Sequence, residues 1–388
     1  LMVGATEVDK ARAAAAQCSN LQSLVWLAQG EAPAGMRAFD ELLAAQPLQR
    51  PTAIVSDAPA QIIYTSGTES APKGAVLSHA AVLWQYGSII ADAEVATDDR
   101  LLHAMPLYHC AQLDCFLGPA VQVGAFNVIT NDNSAANLLT LLERESITSF
   151  FAPPTVWIAL LNDSRFEGTD LSQLRKGYYG ASIMPVEILR EIQRRLPQLR
   201  LWNLYGQTEI APVATILKPA DQIRKAGSAG RPVINVETRV VDDDGEDVEK
   251  TAEAFAGGWF HSGDLATVDK EGYLTIVDRK KDMIKSGGEN VSGREVEETV
   301  YGHAAVAEVA VIGVPHSRWI EAVTAVVVAK SGATRDADDL IAHCRRSLAG
   351  FKVPKAVVFV DELPRNPSGK ILKRDLRRQF EDLFSEAR

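Results

Sequence analysis

Short runs rich in valine, isoleucine and phenylalanine alternate with helical patterns between about Ala53 and Leu217, and few folds are compatible with this alternation. One example is VGAFNVIT at 123–130, which is followed by SAANLLTLLERES at 134–146 and then by ITSFFAPP at 147–154. Strands that alternate with helices favour an α/β architecture with a largely parallel sheet. We therefore predict that most of the chain forms an α/β domain.

The pattern changes after Arg279. The charged run DRKKD at 278–282 is followed by the strand-like segments VAEVAVIGV, AVTAVVVAK and KAVVFV, with the helical segment DADDLIAHCRRSLAG among them. This order predicts a compact α+β unit of about one hundred residues. We place a domain boundary there, which divides the chain into 1–278 and 279–388.

Four other segments give local predictions. The alanine-rich residues 1–50 predict helices joined by loops, and Gln61–Tyr64 predicts a buried strand. The segment PVINVETRVVD at 232–242 alternates apolar and polar residues, which predicts an exposed-edge or barrel strand. A further strand is predicted for YLTIVDR, which ends at Arg279.

The composition narrows the classes of function. The 388 residues are 46% hydrophobic and 23% charged, and the net charge of −10 argues against a general nucleic-acid binder, which requires a basic face. No apolar run is long enough to cross a membrane, and the first residues show no signal-peptide pattern. Cys110 and Cys115 lie beside His109, but no second ligand pair follows, which favours buried free thiols over a metal site. We expect a cytoplasmic protein.

The stretch QIIYTSGTESAPKGAVLSH at 61–79 places small polar residues and a lysine on a loop that leaves a core strand. Such a loop is typical of an anion site, most often for phosphate. Its lysine precedes the second glycine and no hydroxyl residue follows, so the loop does not fit the P-loop pattern. A hydroxyl-rich surface turn remains an alternative for the loop taken alone. The candidate phosphate ligands are Thr65, Ser66, Gly67, Thr68 and Lys73.

Together with four further segments, this loop resembles the phosphate loop of the adenylate-forming superfamily of acyl-CoA synthetases, luciferases and peptide-synthetase adenylation domains. The matching segments follow the family's order: YTSGTESAPKG, LYGQTE, WFHSGD, DRKKDMIKSGGENV and PRNPSGK. Five motifs in order are specific, and bacterial fatty acyl-CoA synthetases resemble the chain most. The resemblance implies a large α/β N-terminal domain of several subdomains, with layered sheets and a small β-barrel, and a small mobile α+β C-terminal domain.

The same resemblance assigns residues to ATP and Mg²⁺. The segment for adenine and the groups for ribose are Gly180, Ala181, Ser182, Tyr205, Asp264 and Arg279. Tyr205 would form a stacking wall for adenine, and Asp264, with Arg279 beside it, would accept from the ribose hydroxyls. Thr208 would contact the α-phosphate. Glu209 would bind Mg²⁺, an ion that usually takes only one or two protein carboxylates.

Two residues are assigned to the reacting carboxylate. The resemblance places His109 near it, as a wall or gate between the acyl and thiol sites. Lys370 would bridge the carboxylate and the α-phosphate, two anions that repel each other. By contrast, Lys355 and Lys373 are interpreted as exposed lysines without such a role.

In this family the small C-terminal domain rotates between two half-reactions. Lys281, in the charged run, corresponds to the hinge. After rotation, Gly287 and Gly288 would enter the site, where glycines let the pantetheine arm of CoA pass close to the backbone.

The implied function is an ATP-dependent acyl-CoA ligase for a carboxylic acid, and the nearest branch indicates a fatty acid. The apolar segments 121–128 and 150–157 favour a hydrophobic acid. Two alternatives stay open, a fatty acyl-AMP ligase that loads an acyl-carrier protein and a nucleotide-binding relative without catalysis. A peripheral membrane contact and a homodimer also stay open.

The chain departs from the family pattern in two places. The family has a further N-terminal portion before the position of Leu1, so we expect the sequence to be truncated at its start. The chain also passes through 244–255 without a strand pair that the family carries, and we expect a missing segment near 248–251.

Overall fold

The computed structural model describes residues 1–46, 53–65, 73–182, 184–241, 256–280, 282–366 and 369–384. The predictions for Ser66, Gly67, Thr68, Lys281 and the segment near 248–251 lie outside these residues. The chain forms two compact units, Leu1–Val55 and Ser56–Arg388. Within the described ranges, no helix combines the length and apolarity needed to span a bilayer.

The described residues of the first unit form two α-helices and three short parallel strands in the order β1–β2–β3. In chain order its elements are β1 (Met2–Val3), α1 (Val8–Gln17), β2 (Val25–Trp26), β3 (Arg37–Ala38) and α2 (Phe39–Leu43). The helices confirm the prediction for residues 1–50. The strands were missed because two-residue strands are too short to show a periodic pattern.

The second unit begins with an antiparallel hairpin that leads into a helix. Its strands are β4 (Pro59–Thr65) and β5 (Lys73–Ser78), and α3 (His79–Asp92) follows directly. Ser78 caps α3, because its hydroxyl accepts a hydrogen bond from the Ala81 N–H. The prediction of a buried strand at Gln61–Tyr64 is wrong for one of its two faces. Ile63 is buried, whereas Ile62 and Tyr64 are 57% and 71% exposed, because side chains alternate across a strand.

The main sheet has seven strands. They are β6 (Arg100–His103), β7 (Phe126–Ile129), β8 (Ser149–Phe151), β9 (Lys176–Gly180), β10 (Arg200–Gly206), β11 (Val213–Leu217) and β12 (Arg231–Pro232). Their order is β12–β11–β10–β9–β8–β6–β7. The pairs from β7 to β10 are parallel, and β11 and β12 add an antiparallel edge. The predicted largely parallel sheet is confirmed.

Helices cover both faces of this sheet. They are α4 (Cys110–Gln112), α5 (Gly118–Val123), α6 (Ala135–Arg144), α7 (Pro154–Asn162) and α8 (Val186–Arg195). A π-helical turn, Leu113–Leu117, joins α4 to α5. Leu138, Trp157 and Ile192 of α6, α7 and α8 belong to one buried cluster. Ile89 of α3 and Phe116 pack with Trp202 in another. Burial on both faces explains the continuous apolar runs in the strands.

Pro232 ends β12, but residues 233–241 form no strand, so the strand prediction for 232–242 is wrong for 233–241. The chain docks on α3 instead of pairing in a sheet. The Ile234 N–H donates to Asp92, and the Asn235 amide donates to the Trp84 carbonyl and to the Ser88 hydroxyl. The contact with Asp92 satisfies the Ile234 N–H, a backbone group that a strand ladder would otherwise use.

Two antiparallel strands, β13 (Asp264–Val268) and β14 (Leu274–Arg279), form the next hairpin, and β14 confirms the prediction for YLTIVDR. A single bridge joins Gly230 to Leu274. A small barrel was expected in this region, and the residues that the structure describes there form this hairpin and this bridge.

A five-stranded sheet follows, in the order β16–β15–β18–β17 with β19 beside β18. Its elements are β15 (Ile284–Ser286), β16 (Glu289–Val291), α9 (Gly293–Tyr301), β17 (Val306–His316), β18 (Ile320–Ala329), α10 (Ala337–Arg345), β19 (Ala356–Val360) and α11 (Lys373–Gln379). Val296 of α9 and Leu340 of α10 lie in the core on one face, and Leu376 of α11 lies in the core on the other. The predicted α+β unit is confirmed, while the boundary at residue 279 stays a prediction.

Candidate active site

The candidate phosphate loop is closed by the β4–β5 hairpin. Thr65 and Lys73 are cross-strand partners at its end, and the Thr65 hydroxyl donates to the Lys73 carbonyl at 3.4 Å. The Lys73 residue is exposed. Strand β5 contacts the turn Thr208–Ile210. The hairpin therefore lies against the turn that carries the residues predicted to contact the α-phosphate and Mg²⁺.

The adenine segment and the motif LYGQTE lie on neighbouring strands. Gly180, at the end of β9, is the parallel partner of Leu204 in β10. Because the carboxyl ends of parallel strands share one edge of a sheet, Ala181 and Tyr205 emerge at the same edge. Gly206 is required here, since a Cβ atom at this position would lie 1.8 Å from the Pro212 carbonyl oxygen. Ser182 is exposed beyond the strand end.

Asp264 is the centre of a polar cluster. The Tyr205 hydroxyl donates to Asp264 Oδ2 at 2.5 Å, and Gln207 Nε2 donates to the same oxygen at 3.0 Å. Arg279, the cross-strand partner of Asp264, places its Nε 3.3 Å from Oδ1. The Asp264 side chain is only 5% exposed. Burial, together with the Asp264 charge, raises the pKa of Tyr205, so its hydroxyl remains protonated and can act as a donor.

Thr208 and Glu209 differ in exposure. Thr208 is 8% exposed, and its Oγ1 lies 3.1 Å from Cys110 Sγ. Glu209 is exposed on the same turn. Among the residues that the structure describes, no group of three or more His, Cys, Asp or Glu side chains could hold a metal ion. A single exposed carboxylate beside a phosphate site nevertheless fits Mg²⁺, which keeps most of its ligands as water or phosphate oxygens.

His109 caps the amino end of α4, where its Nδ1 accepts a hydrogen bond from the Ala111 N–H at 3.1 Å. Partial burial and, after it, the positive charge of Lys370 lower the pKa of His109. The imidazole is therefore neutral at pH 7. A neutral ring suits the predicted position beside a carboxylate as a wall rather than as a second cation.

Lys370 lies on a loop that reaches this site. Its backbone N–H donates to Asn366 Oδ1 at 2.8 Å, and a bridge between Arg365 and Ile371 closes the loop. A Cβ atom on the neighbouring Gly369 would lie 3.4 Å from the Pro153 ring. The loop therefore packs against the end of β8, which brings the charge of Lys370 close enough to act on His109.

A narrow cleft with a volume of about 10 Å³ lies beside His109 and is bordered by the ends of β6 and β8. Its lining includes Met105, Ala111, Gln112, Phe151 and Ala181. The Gln112 Nε2 lies 2.7 Å from Nδ1 of the buried His103, and its Oε1 accepts from the Met105 N–H at 3.2 Å. Phe151 stacks on Phe116 with ring centroids 4.6 Å apart. Gln112 and Phe151 are thus in contact with buried side chains behind the cleft.

Gly287 and Gly288, the two residues predicted to lie beside the pantetheine arm of CoA, are not among the residues around His109. Gly287 and Gly288 form the turn between β15 and β16, with φ angles of 64° and 89°. The Gly287 N–H donates to the Trp319 carbonyl at 2.8 Å. In this arrangement of the chain it is the Lys370 loop, and not this turn, that packs beside the residues around His109.

Sequence reasoning missed Gln207 and Cys110 as site residues. Gln207 stands within the quoted motif LYGQTE, and its position one residue after the strand end was the available signal. Cys110 was interpreted only as a buried thiol. The structure confirms that it is buried and free, as Cys115 is, but no local pattern indicates its contact with Thr208.

Comparison with known proteins identifies the family. A family model described as "AMP-binding enzyme" matches residues 1–258, and "AMP-binding enzyme C-terminal domain" matches residues 295–370. A feruloyl-CoA synthase from Amycolatopsis sp. is 39% identical, over 82% of this chain and 69% of the relative. An indoleacetate–CoA ligase from Aromatoleum aromaticum is 37% identical, over 89% and 72% of the two chains.

A long-chain-fatty-acid–CoA ligase from Salmonella typhimurium is also 37% identical, over 84% of this chain and 62% of the relative. The crystal structure of the anthranilate CoA ligase AuaEII in complex with anthranoyl-AMP superimposes with a TM-score of 0.88 at 26% identity. It covers 98% of this chain and 77% of that one. The motifs, the two family models and the fold agree, and the chain belongs to the AMP-binding enzyme family of adenylate-forming enzymes.

Proposed function

We propose that the chain is an AMP-forming acid–CoA ligase for a compact, apolar monocarboxylic acid, with aromatic acids as the leading class. The observation that carries the proposal is the position of the Lys370 loop. Gly369 of this loop packs against Pro153 beside the cleft, and burial and then the charge of Lys370 lower the pKa of His109. A cation at the junction of an apolar cleft and a nucleotide site can hold a carboxylate against a phosphate.

The first half-reaction would occur at this junction. A carboxylate oxygen of the acid attacks the α-phosphorus of ATP. The bond from that phosphorus to the bridging oxygen breaks, and pyrophosphate leaves with the electron pair. Lys370 would hold the two anions together, because their mutual repulsion otherwise opposes the approach. Thr208 would donate its hydroxyl hydrogen to an α-phosphate oxygen, where negative charge increases in the transition state.

The rest of the nucleotide would be bound by groups that already converge. Asp264, oriented by Tyr205 and Gln207, would accept from the ribose hydroxyls. Thr65 and Lys73 stand at the base of the loop that would enclose the outer phosphates. Glu209 would hold Mg²⁺, which when bound neutralises phosphate charge.

In the second half-reaction the CoA thiol releases its proton to water and its sulfur attacks the acyl carbonyl carbon; the bond from that carbon to the phosphate oxygen breaks, and AMP leaves with the electron pair. We propose that the C-terminal α+β unit, predicted for residues 279–388, turns about Lys281 to allow this step. Gly287 and Gly288 would then lie beside the pantetheine arm. Their positive φ angles and lack of side chains suit a close approach to backbone.

The class of acid is supported by the lining of the cleft and by the relatives. The described lining contains no cation that could pair with a second carboxylate, which disfavours a dicarboxylic acid. Phe151 offers an aromatic ring, and Gln112 is held rigid by His103 and Met105. A rigid aromatic wall favours a flat, compact acid. The relatives named for ferulate and indoleacetate agree with this choice.

A fatty acid is the second candidate, because a long-chain-fatty-acid–CoA ligase is 37% identical to the chain. The two candidates differ in what must fit behind Phe151. A long alkyl chain would require the stacked Phe151 and Phe116 rings to separate or a path around them.

The deciding experiment measures AMP release from ATP with a panel of acids, each with and without CoA. The panel contains a hydroxycinnamate, an arylacetate, octanoate, palmitate and malonate, and mass spectrometry identifies the product. We expect acyl-CoA from the aromatic acids and none from malonate. Turnover confined to palmitate would replace the aromatic class with the fatty class. Acyl-AMP that accumulates equally with CoA present would contradict CoA as the acceptor.

A further inference from the structure

Cys110 and Thr208 connect two parts of the site that are far apart in sequence. Their side chains meet with Sγ and Oγ1 3.1 Å apart across a separation of 98 residues, and both residues are buried. Cys110 follows His109 as the first residue of α4, the helix that borders the acid cleft. Thr208 begins the turn after β10. The hydrogen bond therefore joins the acid side of the site to the phosphate side.

The direction of this hydrogen bond matters for the reaction. The geometry allows either Cys110 Sγ or Thr208 Oγ1 to be the donor. A threonine hydroxyl has a single hydrogen, and phosphate oxygens only accept. When Thr208 donates that hydrogen to a phosphate, its contact with Cys110 must run the other way, with the thiol donating to Oγ1.

The environment keeps the thiol able to donate. Burial raises the pKa of Cys110 to about 11, and the carboxylates of Asp114 and Glu209 act in the same direction, whereas the hydrogen bonds to Thr208 and Ala111 oppose them. The sulfur therefore carries its proton at neutral pH. Asp114 is itself fully buried on the π-helical turn that follows α4.

We propose that Cys110 is a positioning residue, which donates its S–H to Thr208 and so directs the Thr208 hydroxyl hydrogen towards the α-phosphate. This inference rests on the proposed function, because it assumes that Thr208 faces a nucleotide phosphate. A hydroxyl without a hydrogen-bond partner rotates among several positions about its C–O bond. The hydrogen bond that Thr208 accepts from Cys110 favours the position in which the Thr208 hydrogen points towards the phosphate. The effect is modest, because a thiol is a weak donor.

Cys110 also fills space, and the test must separate this from positioning. Its apolar neighbours in the core are Ile63, Leu77, Val82 and Ala211. Cys115 provides a matched control, since it is a second buried, free thiol on the same helical segment. It packs in a different apolar cluster from Cys110, the one that contains Phe116 and Trp202. Truncation of either thiol removes the same atoms from the core. Only Cys110 has its sulfur beside Thr208 in the hydrogen bonds that the described residues form.

The experiment compares Cys110→Ala, Cys110→Ser, Cys115→Ala and Cys115→Ser in ATP–pyrophosphate exchange. Thermal melting and titration of ATP binding by calorimetry accompany it. We expect Cys110→Ala to lower kcat for exchange about fivefold, with KM for the acid unchanged, which corresponds to about 1 kcal/mol. Serine, which retains a donor, should restore exchange to within about twofold of the unmodified protein. The Cys115 variants should lower the melting temperature without this loss of kcat.

A double variant adds an independent check. In a Thr208→Ala background, Cys110→Ala should cause no further loss, because the group that it positions is gone. The proposal is overturned when Cys110→Ala matches Cys115→Ala in kcat, or when Cys110→Ser is as slow as Cys110→Ala.

Measurements of ATP affinity distinguish a failure of this inference from a failure of the proposed function. A protein that binds ATP but supports exchange with no acid would contradict the ligase proposal alone. Weaker ATP binding in Cys110→Ala and not in Cys110→Ser would then still support the positioning role, and equal affinities would overturn it. Absence of ATP binding by the unmodified protein would overturn both.

Discussion

The Tyr205 hydroxyl and Asp264 Oδ2 are joined by a hydrogen bond of 2.5 Å, although 59 residues separate them in the chain. Gln207 donates to the same oxygen, and Arg279 lies against the other. A carboxylate with three fixed donors is oriented before a ligand arrives. The ribose contact proposed for Asp264 therefore requires little reorganisation when ATP binds.

For this reason Asp264→Ala should weaken ATP binding by about tenfold or more, since hydrogen bonds to charged groups contribute about 1.5–3 kcal/mol. Tyr205→Phe should cause a smaller loss, because Gln207 and Arg279 still orient the carboxylate. Calorimetric titration with ATP measures both effects. The control is Asp269→Ala, which removes a carboxylate from a more exposed ion pair with Lys225 on the same hairpin. Similar affinities for the Asp264 and Asp269 variants would exclude the ribose role.

Lys370→Ala should slow acyl-AMP formation by about 10²–10³-fold, the cost typical of losing one group that stabilises charge in the transition state. Thioester formation from supplied acyl-AMP should stay within about twofold, because no carboxylate remains to be held against a phosphate. Quenched-flow assays of the two half-reactions test this division. Lys330→Ala, at an exposed lysine of the same C-terminal unit, should change neither rate. Equal slowing of both steps by Lys370→Ala would contradict the assignment.

Lys373 is the first residue of α11, and its ammonium lies 2.8 Å from Glu297 Oε1, with side chains 20% and 23% exposed. Burial alone would lower the pKa of Lys373, but the carboxylates of Glu297, Asp278 and Asp282 together outweigh burial, and the pKa is raised. Lys373→Ala leaves Glu297 charged and mostly buried, so it should lower the free energy of unfolding by about 1–3 kcal/mol, less than for a fully buried pair.

Urea denaturation measures this loss for Lys373→Ala. The comparison is Arg335→Ala, which breaks the exposed pair with Asp361 and should cost about 1 kcal/mol or less. Equal losses in the two variants would show that partial burial adds nothing to the Lys373 pair.

His109 should make stability depend on pH. Its pKa is lowered from 6.5 by burial and by Lys370. Between the lowered pKa and 6.5, the unfolded chain carries more protons than the folded one. The free energy of unfolding should therefore decrease as the pH falls from about 7.5 to 5.5.

The variant that tests this is His109→Asn, since asparagine does not titrate and can still cap α4 by accepting from the Ala111 N–H. Urea denaturation at the two pH values should give a smaller loss for the variant than for the unmodified protein. Some loss should remain, because burial also lowers the pKa of His103. An unchanged pH dependence would mean that His109 is not the group responsible.

Periodicity and motifs were enough to predict the parallel sheet, the α+β unit and the family. These depend on local information, since periodicity shows which faces of an element are apolar and five ordered motifs match one family. The strand prediction at 232–242 failed because periodicity does not show whether a neighbouring strand is available for pairing. Asn235 found its partners on α3 instead.

The contacts among the site residues could be read from the folded chain alone. Gln207 lies 57 residues from Asp264 and Cys110 lies 98 residues from Thr208, and no spacing along the chain indicates either contact. Lys373, interpreted from the sequence as an exposed lysine, is mostly buried against Glu297. The physical reason is the same in each case. A side chain's hydrogen bonds and burial depend on which elements pack beside it, and that packing is a property of the whole fold rather than of the residues next to it in sequence.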